Sequence, residues 1–470
     1  MKFAWINHQP SASRLILIFA GWGMDEKPFA GIGKPGYDIA VIWGLLDDVF
    51  PIPLSTIEHY DETCILAWSF GVFQASRILP HLNLPNVTLT LAVNGSPWPV
   101  DPSRGIPPSI FSATVENLSP VSLSRFYRRM AGSSESFRRF SASCPDRSVD
   151  ELRAELHRVA SLASSEEAPA SFIWDRVLIG ERDAIFPPDN LKKAWSESTS
   201  AITVDPTLPH LPDWQLIIDR YITDKQRVGI SFDRRRESYS ANASVQQEVA
   251  RRLAALLAEN LPASTNPPHV IEIGCGDGTF TRELLSVLSP ARLRLIDLAG
   301  SIPDSLLATD IKFTKADGEI ALRDLPDSSV DIVVASSTIQ WFNSPRTFFR
   351  HVARVLRPGG IAAFSTYGPA TLADLTAITG NSLPYLSVSQ LSDAVPGSCK
   401  VLHASSSSLP VSFLSVSDML RHLRLTGVNA ISATASVPLM RRIIDHYPAS
   451  PDGSCSLTYN PLYLIFTRQS

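Results

Sequence analysis

The sequence has few cysteines, and their arrangement argues against two common ways of stabilising a chain. Only five occur among 470 residues, with no Cys-x-x-Cys pair and no histidine partner at metal-ligand spacing. They are widely scattered: Cys64, Cys144, Cys275, Cys399 and Cys455. We therefore expect neither structural disulfide bonds nor a bound metal ion.

The sequence also lacks a strong excess of one charge and a long apolar run. Its 42 basic and 46 acidic residues give a formal net charge of −4, which provides no overall attraction for nucleic acid. The longest apolar run near the N-terminus, residues 15–20, suits a buried strand rather than a signal peptide or a membrane span. We expect a cytoplasmic protein that binds neither nucleic acid nor membranes.

Strands that alternate with helices indicate an α/β fold. Apolar runs predict strands at residues 14–19, 64–67, 87–93 and 174–179, and a helix begins near residue 72. This alternation favours a mostly parallel sheet whose functional loops follow the carboxyl ends of the strands.

A polar, charge-dense stretch at residues 223–243 divides the chain, so we predict domains at residues 1–222 and 223–470. After this stretch, Val245, Val249 and Leu253 predict an amphipathic helix. A second α/β domain follows, with strands predicted at 269–273, 292–297, 330–335 and 360–364.

A serine between the strand at 64–67 and the next helix is a candidate nucleophile. Ser69 lies between the small residues Ala67 and Gly71, which permit a strained strand-to-helix elbow, although Ala67 stands where glycine is usual. An ordinary strand-to-helix turn without a catalytic serine would show the same sequence pattern. Asp183 and His210 follow in the order Ser, Asp, His of α/β-hydrolases, so we predict these three residues as a catalytic triad.

Two backbone N–H groups are the expected donors to an oxyanion. One belongs to Phe70, directly after the serine, and the other to Trp22, which lies between two glycines in the loop after the first strand. The indole of Trp22 is equally compatible with a packing role.

The N-terminal domain resembles the BioG type of pimeloyl-[acyl-carrier protein] methyl ester esterase over most of residues 1–220. The likeness rests on FAGWGMD (19–25), AWSFGV (67–72), VNGSPWP (93–99), GIPP (105–108), ENL (116–118) and FYRRM (126–130). The resemblance implies an α/β-hydrolase fold, the same triad of Ser69, Asp183 and His210, and hydrolysis of a methyl ester at the tip of a carrier-bound acyl chain.

Residues 121–160 are expected to form a lid that carries a basic cluster. Residues 125–139 hold only one acidic residue, Glu135, and five arginines: Arg125, Arg128, Arg129, Arg138 and Arg139. Such an excess could dock an acidic acyl carrier protein, because charge complementarity steers encounter. A solvated helix face is the alternative.

The second domain begins with a glycine-rich loop. Gly274, Gly276 and Gly278 join a strand to a helix, and Glu272 precedes them, so we predict that these four residues belong to a cofactor site. The spacing is G-x-G-x-G, because Thr279 follows Gly278, so it differs from the dinucleotide fingerprint and favours S-adenosylmethionine.

Two aspartates complete the predicted cofactor site. Asp297 ends the next strand, where its carboxylate could bind ribose hydroxyls, and Asp317 follows where it could meet the adenine amino group. Either could instead be a turn former. This ensemble resembles class I methyltransferases.

Further features resemble the BioC type of malonyl-[acyl-carrier protein] O-methyltransferase across residues 225–470. They are Phe232, Tyr239, Gln246, SSTIQW (336–341), TYG (366–368), HLRLTGVN (422–429) and LTY (457–459). The resemblance implies that Tyr239 covers the donor and that Gln340 and Trp341 border the acceptor. A malonyl carboxylate is already ionised at neutral pH, so no general base is needed. Arg346 and Arg424 are candidates for its partner by charge alone.

Together the resemblances imply a bifunctional biotin-synthesis enzyme that methylates malonyl-carrier protein and later hydrolyses the pimeloyl methyl ester. Three alternatives stay open. They are a hydrolase for another acyl ester fused to a small-molecule methyltransferase, a binding fusion with one inactive half, and an NAD-linked enzyme.

Overall fold

The computed structural model describes residues 1–164, 172–261, 266–300, 306, 310–426 and 437–469, apart from the side chains of residues 235–242, 426 and 437. The chain divides into two units, Met1–Ile222 and Thr223–Ser470. Among the described residues, no helix is both long enough and apolar enough to cross a bilayer.

The first unit is built on a seven-stranded sheet. Its strands are β1 (Lys2–Asn7), β2 (Arg14–Phe19), β3 (Tyr37–Trp43), β4 (Glu62–Trp68), β5 (Val87–Val93), β6 (Arg176–Arg182) and β7 (Ala201–Pro209). Their order is β1-β3-β2-β4-β5-β6-β7, and only the edge strand β1 pairs antiparallel. Because β2 has β3 on one side and β4 on the other, the loops after β2 and β4 flank a topological switch point, where α/β sheets usually bind ligands.

Helices connect these strands. They are α1 (Leu54–Ile57), α2 (Phe70–Ile78), α3 (Pro108–Glu116), α4 (Pro120–Ala131), α5 (Ser134–Ser141), α6 (Val149–Ala163), α7 (Pro188–Trp195) and α8 (Trp214–Tyr221). Most of the segment 121–160 belongs to α4, α5 and α6. Each of these helices begins after a serine N-cap: Ser119, Ser133 and Ser148 accept hydrogen bonds from the first turns of α4, α5 and α6.

The second unit begins with α9 (Lys225–Asn242) and α10 (Ser244–Asn260). Its strands are β8 (His269–Ile273), β9 (Arg292–Asp297), β10 (Ile311–Lys315), β11 (Val330–Ala335), β12 (Leu356–Tyr367), β13 (Cys399–Ser406), β14 (Leu409–Phe413), β15 (Cys455–Tyr459) and β16 (Pro461–Arg468). The remaining helices are α11 (Thr279–Val287), α12 (Pro345–Val355), α13 (Ala373–Thr379), α14 (Val388–Asp393), α15 (Val416–Thr426) and α16 (Val437–His446).

The main sheet of this unit has the order β10-β9-β8-β11-β12-β16-β13, and β14 pairs with β15 separately. Alternate residues of its strands enter two different cores: Ile361 and Ala363 of β12 belong to one, Ala362 and Phe364 to the other. Successive side chains of a strand point to opposite faces of the sheet, so these apolar residues cover both faces, as in a Rossmann-like sheet with helices on each side. The switch point lies between β8 and β11.

Candidate active sites

Ser69 occupies a strained turn between β4 and α2. Its backbone has φ 57° and ψ −128°, a conformation that non-glycine residues rarely adopt. Neighbouring backbones approach so closely that a Cβ on Gly71 would lie 2.2 Å from the carbonyl oxygen of Phe19, and one on Gly95 would lie 2.4 Å from that of Ser69. The tight packing of these two glycines holds the serine in its unusual conformation.

Ser69, His210 and Asp183 form a continuous hydrogen-bonded chain, and all three are buried. The Oγ atom of Ser69 is 3.1 Å from Nε2 of His210, and Nδ1 of His210 is 2.8 Å from Oδ2 of Asp183. The other carboxylate oxygen, Oδ1, accepts hydrogen bonds from the backbone N–H groups of Ile185 and Phe186. This arrangement can activate a hydroxyl, because the acid orients the imidazole and stabilises its protonated form.

Two residues that the sequence reasoning did not single out hold the histidine loop. The Asn94 amide donates to the carbonyl oxygens of Pro209 and His210, and its Oδ1 accepts from the N–H of Gly180. The Trp68 indole also donates to the His210 carbonyl, at 2.7 Å. Asn94 follows β5 with φ 45°, so its position at a strand end was the available signal.

The two predicted oxyanion donors lie beside this chain. Phe70 opens α2, where a first-turn N–H has no partner within the helix. A Cβ on Gly21, next to Trp22, would lie only 2.9 Å from Cβ of Ser69, so this loop runs against the serine. In the part of the chain that the structure describes, no acceptor is bonded to the N–H of Trp22 or Phe70.

Helices α4 and α6 of the predicted lid contact the loop after β2, which holds Trp22. The Trp22 indole donates to the carbonyl oxygen of Leu152 in α6, and the Tyr127 hydroxyl of α4 donates to that of Gly23. A groove between α3 and α4 exposes mostly apolar surface, which belongs to Trp22, Ile110, Ala113, Leu118 and Phe126. Its polar lining residues are Ser109, Thr114, Asn117, Ser122, Arg125 and Arg129.

The side chains of all five predicted docking arginines are exposed: Arg125, Arg128, Arg129, Arg138 and Arg139. Arg128 lies over the ring of Phe137, and Arg139 forms an ion pair of 3.8 Å with Asp213. The cluster therefore remains a basic surface on α4 and α5.

The glycine loop of the second unit lines a cavity. Gly274, Gly276 and Gly278 all have positive φ, and a Cβ on Gly274 would lie 2.1 Å from Oγ1 of Thr338. Gly274 and Gly276 face the cavity, whereas Gly278 packs against Leu306 and does not line it.

Both predicted cofactor aspartates also line this cavity. Asp297 accepts hydrogen bonds from the N–H groups of Gly276 and Ala299. Asp317 lies 2.6 Å from Nζ of the buried Lys225, which also contacts Glu319 at 2.7 Å. The sequence reasoning missed Lys225, because one lysine in a charge-dense stretch has no distinguishing pattern. Among the described residues, no cluster of three potential metal-ligating side chains occurs.

Contrary to the prediction, Glu272 does not line the cavity, because its side chain is fully buried. Burial raises the pKa of its carboxyl to about 8, although the nearby Thr281 hydroxyl acts in the opposite direction, and Asp297 and Asp277 raise it further. Among the described residues, neither carboxyl oxygen has a hydrogen-bond partner. Burial therefore favours the protonated form of this side chain.

Of the two predicted acceptor-side residues, only one lines the cavity. Trp341 lines the cavity and meets Phe232 edge-on, whereas Gln340 lies just outside the lining and bonds to Ser337 and Thr366. Arg346 and Arg424 do not line the cavity either. The side chain of Tyr239 and residues 427–429 lie outside the described part of the chain.

The fold and the two sites define a two-domain α/β protein with one candidate active site in each unit. Residues 1–215 match the family described as "Pimeloyl-ACP methyl esterase BioG", and residues 271–364 match "Methyltransferase domain".

Comparison with curated proteins identifies the family. The chain is 33% identical to a "Malonyl-[acyl-carrier protein] O-methyltransferase" of Bacteroides fragilis, over 98% of this chain and 94% of that protein. A protein of the same name from Bacteroides helcogenes is 32% identical over 52% of this chain and 98% of its own length. The solved BioG of Haemophilus influenzae shares 30% identity over 45% of this chain and 94% of its own, with a TM-score of 0.40. The chain belongs to the family of the Bacteroides fragilis protein.

Proposed function

We propose that this chain catalyses two reactions of biotin synthesis. The second unit methylates the free carboxyl of malonyl-[acyl-carrier protein] with S-adenosylmethionine, and the first hydrolyses the methyl ester of pimeloyl-[acyl-carrier protein]. The observation that carries the proposal is the Ser69–His210–Asp183 chain in a unit that matches BioG, followed by a glycine-loop methyltransferase unit. The family supports it, because its member from Bacteroides fragilis is named for malonyl-carrier methylation.

In the first unit, the hydrogen-bonded chain of Ser69, His210 and Asp183 suits the mechanism of α/β-hydrolases. Ser69 Oγ attacks the ester carbonyl while His210 takes its proton, and Asp183 stabilises the charged imidazole. The N–H groups of Trp22 and Phe70 hold the oxyanion. His210 then returns the proton to the departing methoxide, which leaves as methanol. Water activated by His210 attacks the acyl-serine and releases the free carboxylate.

In the second unit, the residues present fit S-adenosylmethionine, which supplies an electrophilic methyl group when bound. Gly274 and Gly276 let the backbone approach the ligand, Asp297 accepts from ribose hydroxyls, and Asp317, held by Lys225, accepts from the adenine amino group. Among the described residues, four aspartates and one lysine line the cavity, and this excess of negative charge favours a cationic ligand.

The attacking carboxylate needs no base, since its reference pKa is about 4. It needs no metal ion either, because the methyl group that it attacks is already electrophilic. Trp341 and Phe232 exclude water around the carboxylate. As the resemblance implies, Gln340 and Trp341 border the acceptor, and Tyr239 covers the donor.

Joining these reactions requires selection by chain length, since the esterase would otherwise cleave the malonyl methyl ester. Methylation hides a charge that would be costly to bury during chain extension. We infer that the apolar groove between α3 and α4 holds a long acyl chain, so that a malonyl ester places its carbonyl too far from Ser69.

The test uses the purified full chain with malonyl-carrier protein and labelled S-adenosylmethionine, and separately with pimeloyl-carrier methyl ester. Mass spectrometry should show accumulation of malonyl methyl ester and cleavage of the pimeloyl ester. Absence of malonyl methylation would contradict the acceptor assignment, and rapid cleavage of malonyl methyl ester would contradict selection by chain length. Preference for an unrelated ester in a substrate panel would favour the alternative hydrolase.

Carrier docking on the lid gives a second prediction. The double variant Arg128→Glu/Arg138→Glu should raise KM for pimeloyl-carrier methyl ester about tenfold and spare a small soluble methyl ester, because both arginines are exposed and neither lines the groove between α3 and α4. Steady-state kinetics on both esters measures this. The matched control, Lys192→Glu/Lys193→Glu on α7, makes the same change in net charge elsewhere. Equal loss on both esters would exclude docking.

A further inference from the structure

Gln246 carries a polar atom whose position the fold alone does not explain. The residue lies in the first turn of α10, is 6% exposed, and lines the cavity beside the glycine loop. Its Oε1 atom has no hydrogen-bond partner among the described residues. The neighbouring inward positions of this helix, Val245 and Val249, are apolar, so an apolar side chain would suit the packing here.

The amide nitrogen of Gln246 donates a hydrogen bond to the hydroxyl of Tyr367. Burial raises the pKa of this hydroxyl, whereas the hydrogen bonds from Ser337 and Gln246 lower it. The Ser337 Oγ lies 3.2 Å from the same hydroxyl. The amide is therefore oriented by Tyr367, and its oxygen is left for a donor that arrives with a ligand. A buried carbonyl oxygen without a donor is unfavourable, and a ligand that brings a donor to this position would remove that cost.

The sheet order shows which end of the ligand reaches Gln246. Asp297 and Asp317 follow β9 and β10, on one side of the glycine loop after β8. Ser337 follows β11 and Tyr367 ends β12, on the other side. Adjacent strands are about 4.8 Å apart, so β9 and β12 are separated by roughly 14 Å. A ligand whose ribose meets Asp297 would extend its opposite end towards Gln246.

We propose that Gln246 recognises the amino-acid end of S-adenosylmethionine, with Oε1 accepting a hydrogen bond from the α-ammonium group. This rests on the proposed methyl-transfer function and assigns a donor-binding role to a residue of α10. The acidic lining of the cavity is compatible with a cation at this position. The interaction joins a charged donor to a neutral acceptor, a stronger class of hydrogen bond than a neutral pair.

The test compares two ligands in calorimetric titrations of the full chain. 5′-Methylthioadenosine has the same nucleoside and thioether sulfur but lacks the amino-acid end. Gln246→Met, of similar length, should weaken S-adenosylmethionine binding about tenfold or more and leave methylthioadenosine binding unchanged. Without ligand, its Tm should stay close to that of the wild type, since the change removes an unpartnered oxygen together with one hydrogen bond to Tyr367. Gln247→Met, on the same turn but outside the cavity lining, should change neither affinity.

Three results would overturn the inference. Equal weakening of both ligands would indicate a purely structural role. Unchanged binding of both, with a raised KM for malonyl-carrier protein, would place Gln246 on the acceptor side. A wild-type protein that binds methylthioadenosine and S-adenosylmethionine equally well would show that the amino-acid end is not recognised, while leaving the proposed methyl transfer intact. Absence of any S-adenosylmethionine binding would contradict the proposed function itself.

Discussion

Replacing Ser69 with alanine is expected to lower kcat for hydrolysis of pimeloyl-carrier methyl ester by about 10⁴-fold or more. The change removes the atom that attacks the carbonyl, and His210 and Asp183 act only through that atom. Residual hydrolysis would come from the oxyanion donors and substrate binding. Methyl transfer should persist, because the second unit has its own core. Parallel assays of methanol release and label transfer measure both activities.

Ser11→Ala is the matched control for this prediction. Ser11 is an exposed serine that does not line the groove between α3 and α4, so its substitution removes the same kind of atom outside both the hydrogen-bonded chain and the proposed acyl site. It should retain nearly full hydrolysis. Hydrolysis by Ser69→Ala at the rate of Ser11→Ala would mean that another residue is the nucleophile.

Replacing Gly274 with alanine is expected to abolish methyl transfer while leaving hydrolysis intact. The new Cβ would lie 2.1 Å from Oγ1 of Thr338 and within 3 Å of two further atoms of that side chain, so the glycine loop must move. The loop backbone then no longer lies against the ligand, and we expect S-adenosylmethionine affinity to fall at least about 100-fold, or roughly 2.7 kcal/mol. Calorimetric titration and label transfer check this.

Gly380→Ala separates the steric effect from backbone strain. Gly380 has the same φ of 72° as Gly274, but nothing lies within 4 Å of its added Cβ. The control should therefore cost only about 1 kcal/mol of stability, from the left-handed conformation, and should bind S-adenosylmethionine normally. Comparable loss of affinity in both variants would show that contact with Thr338 is not the cause.

The two sites could be predicted from sequence to different depths. Ser69, Asp183 and His210 each follow a strand in chain order, and strand ends in a parallel sheet meet at one edge, so their proximity followed from local patterns. Gly274 and Asp297 were placed in the same way. By contrast, Asn94 and Lys225 act through partners more than 80 residues away in the chain, and no local pattern distinguishes them.

Local residue patterns by themselves determined the alternation of strands and helices. The strands at 14–19, 87–93, 269–273, 292–297 and 330–335 have the predicted bounds, because each is a short run of residues that local propensity and burial both favour. The positive-φ glycines of the loop after β8 were likewise recognisable from their spacing.

Only the tertiary structure decided how side chains distant in the chain meet. It separated Glu272 and Gln340 from the cavity lining, paired Lys225 with Asp317, and left the Oε1 atom of Gln246 without a partner among the described residues. The physical reason is that burial, hydrogen-bond satisfaction and close packing depend on neighbours that the chain path supplies from other strands and helices, whereas propensity and spacing report only on nearby residues.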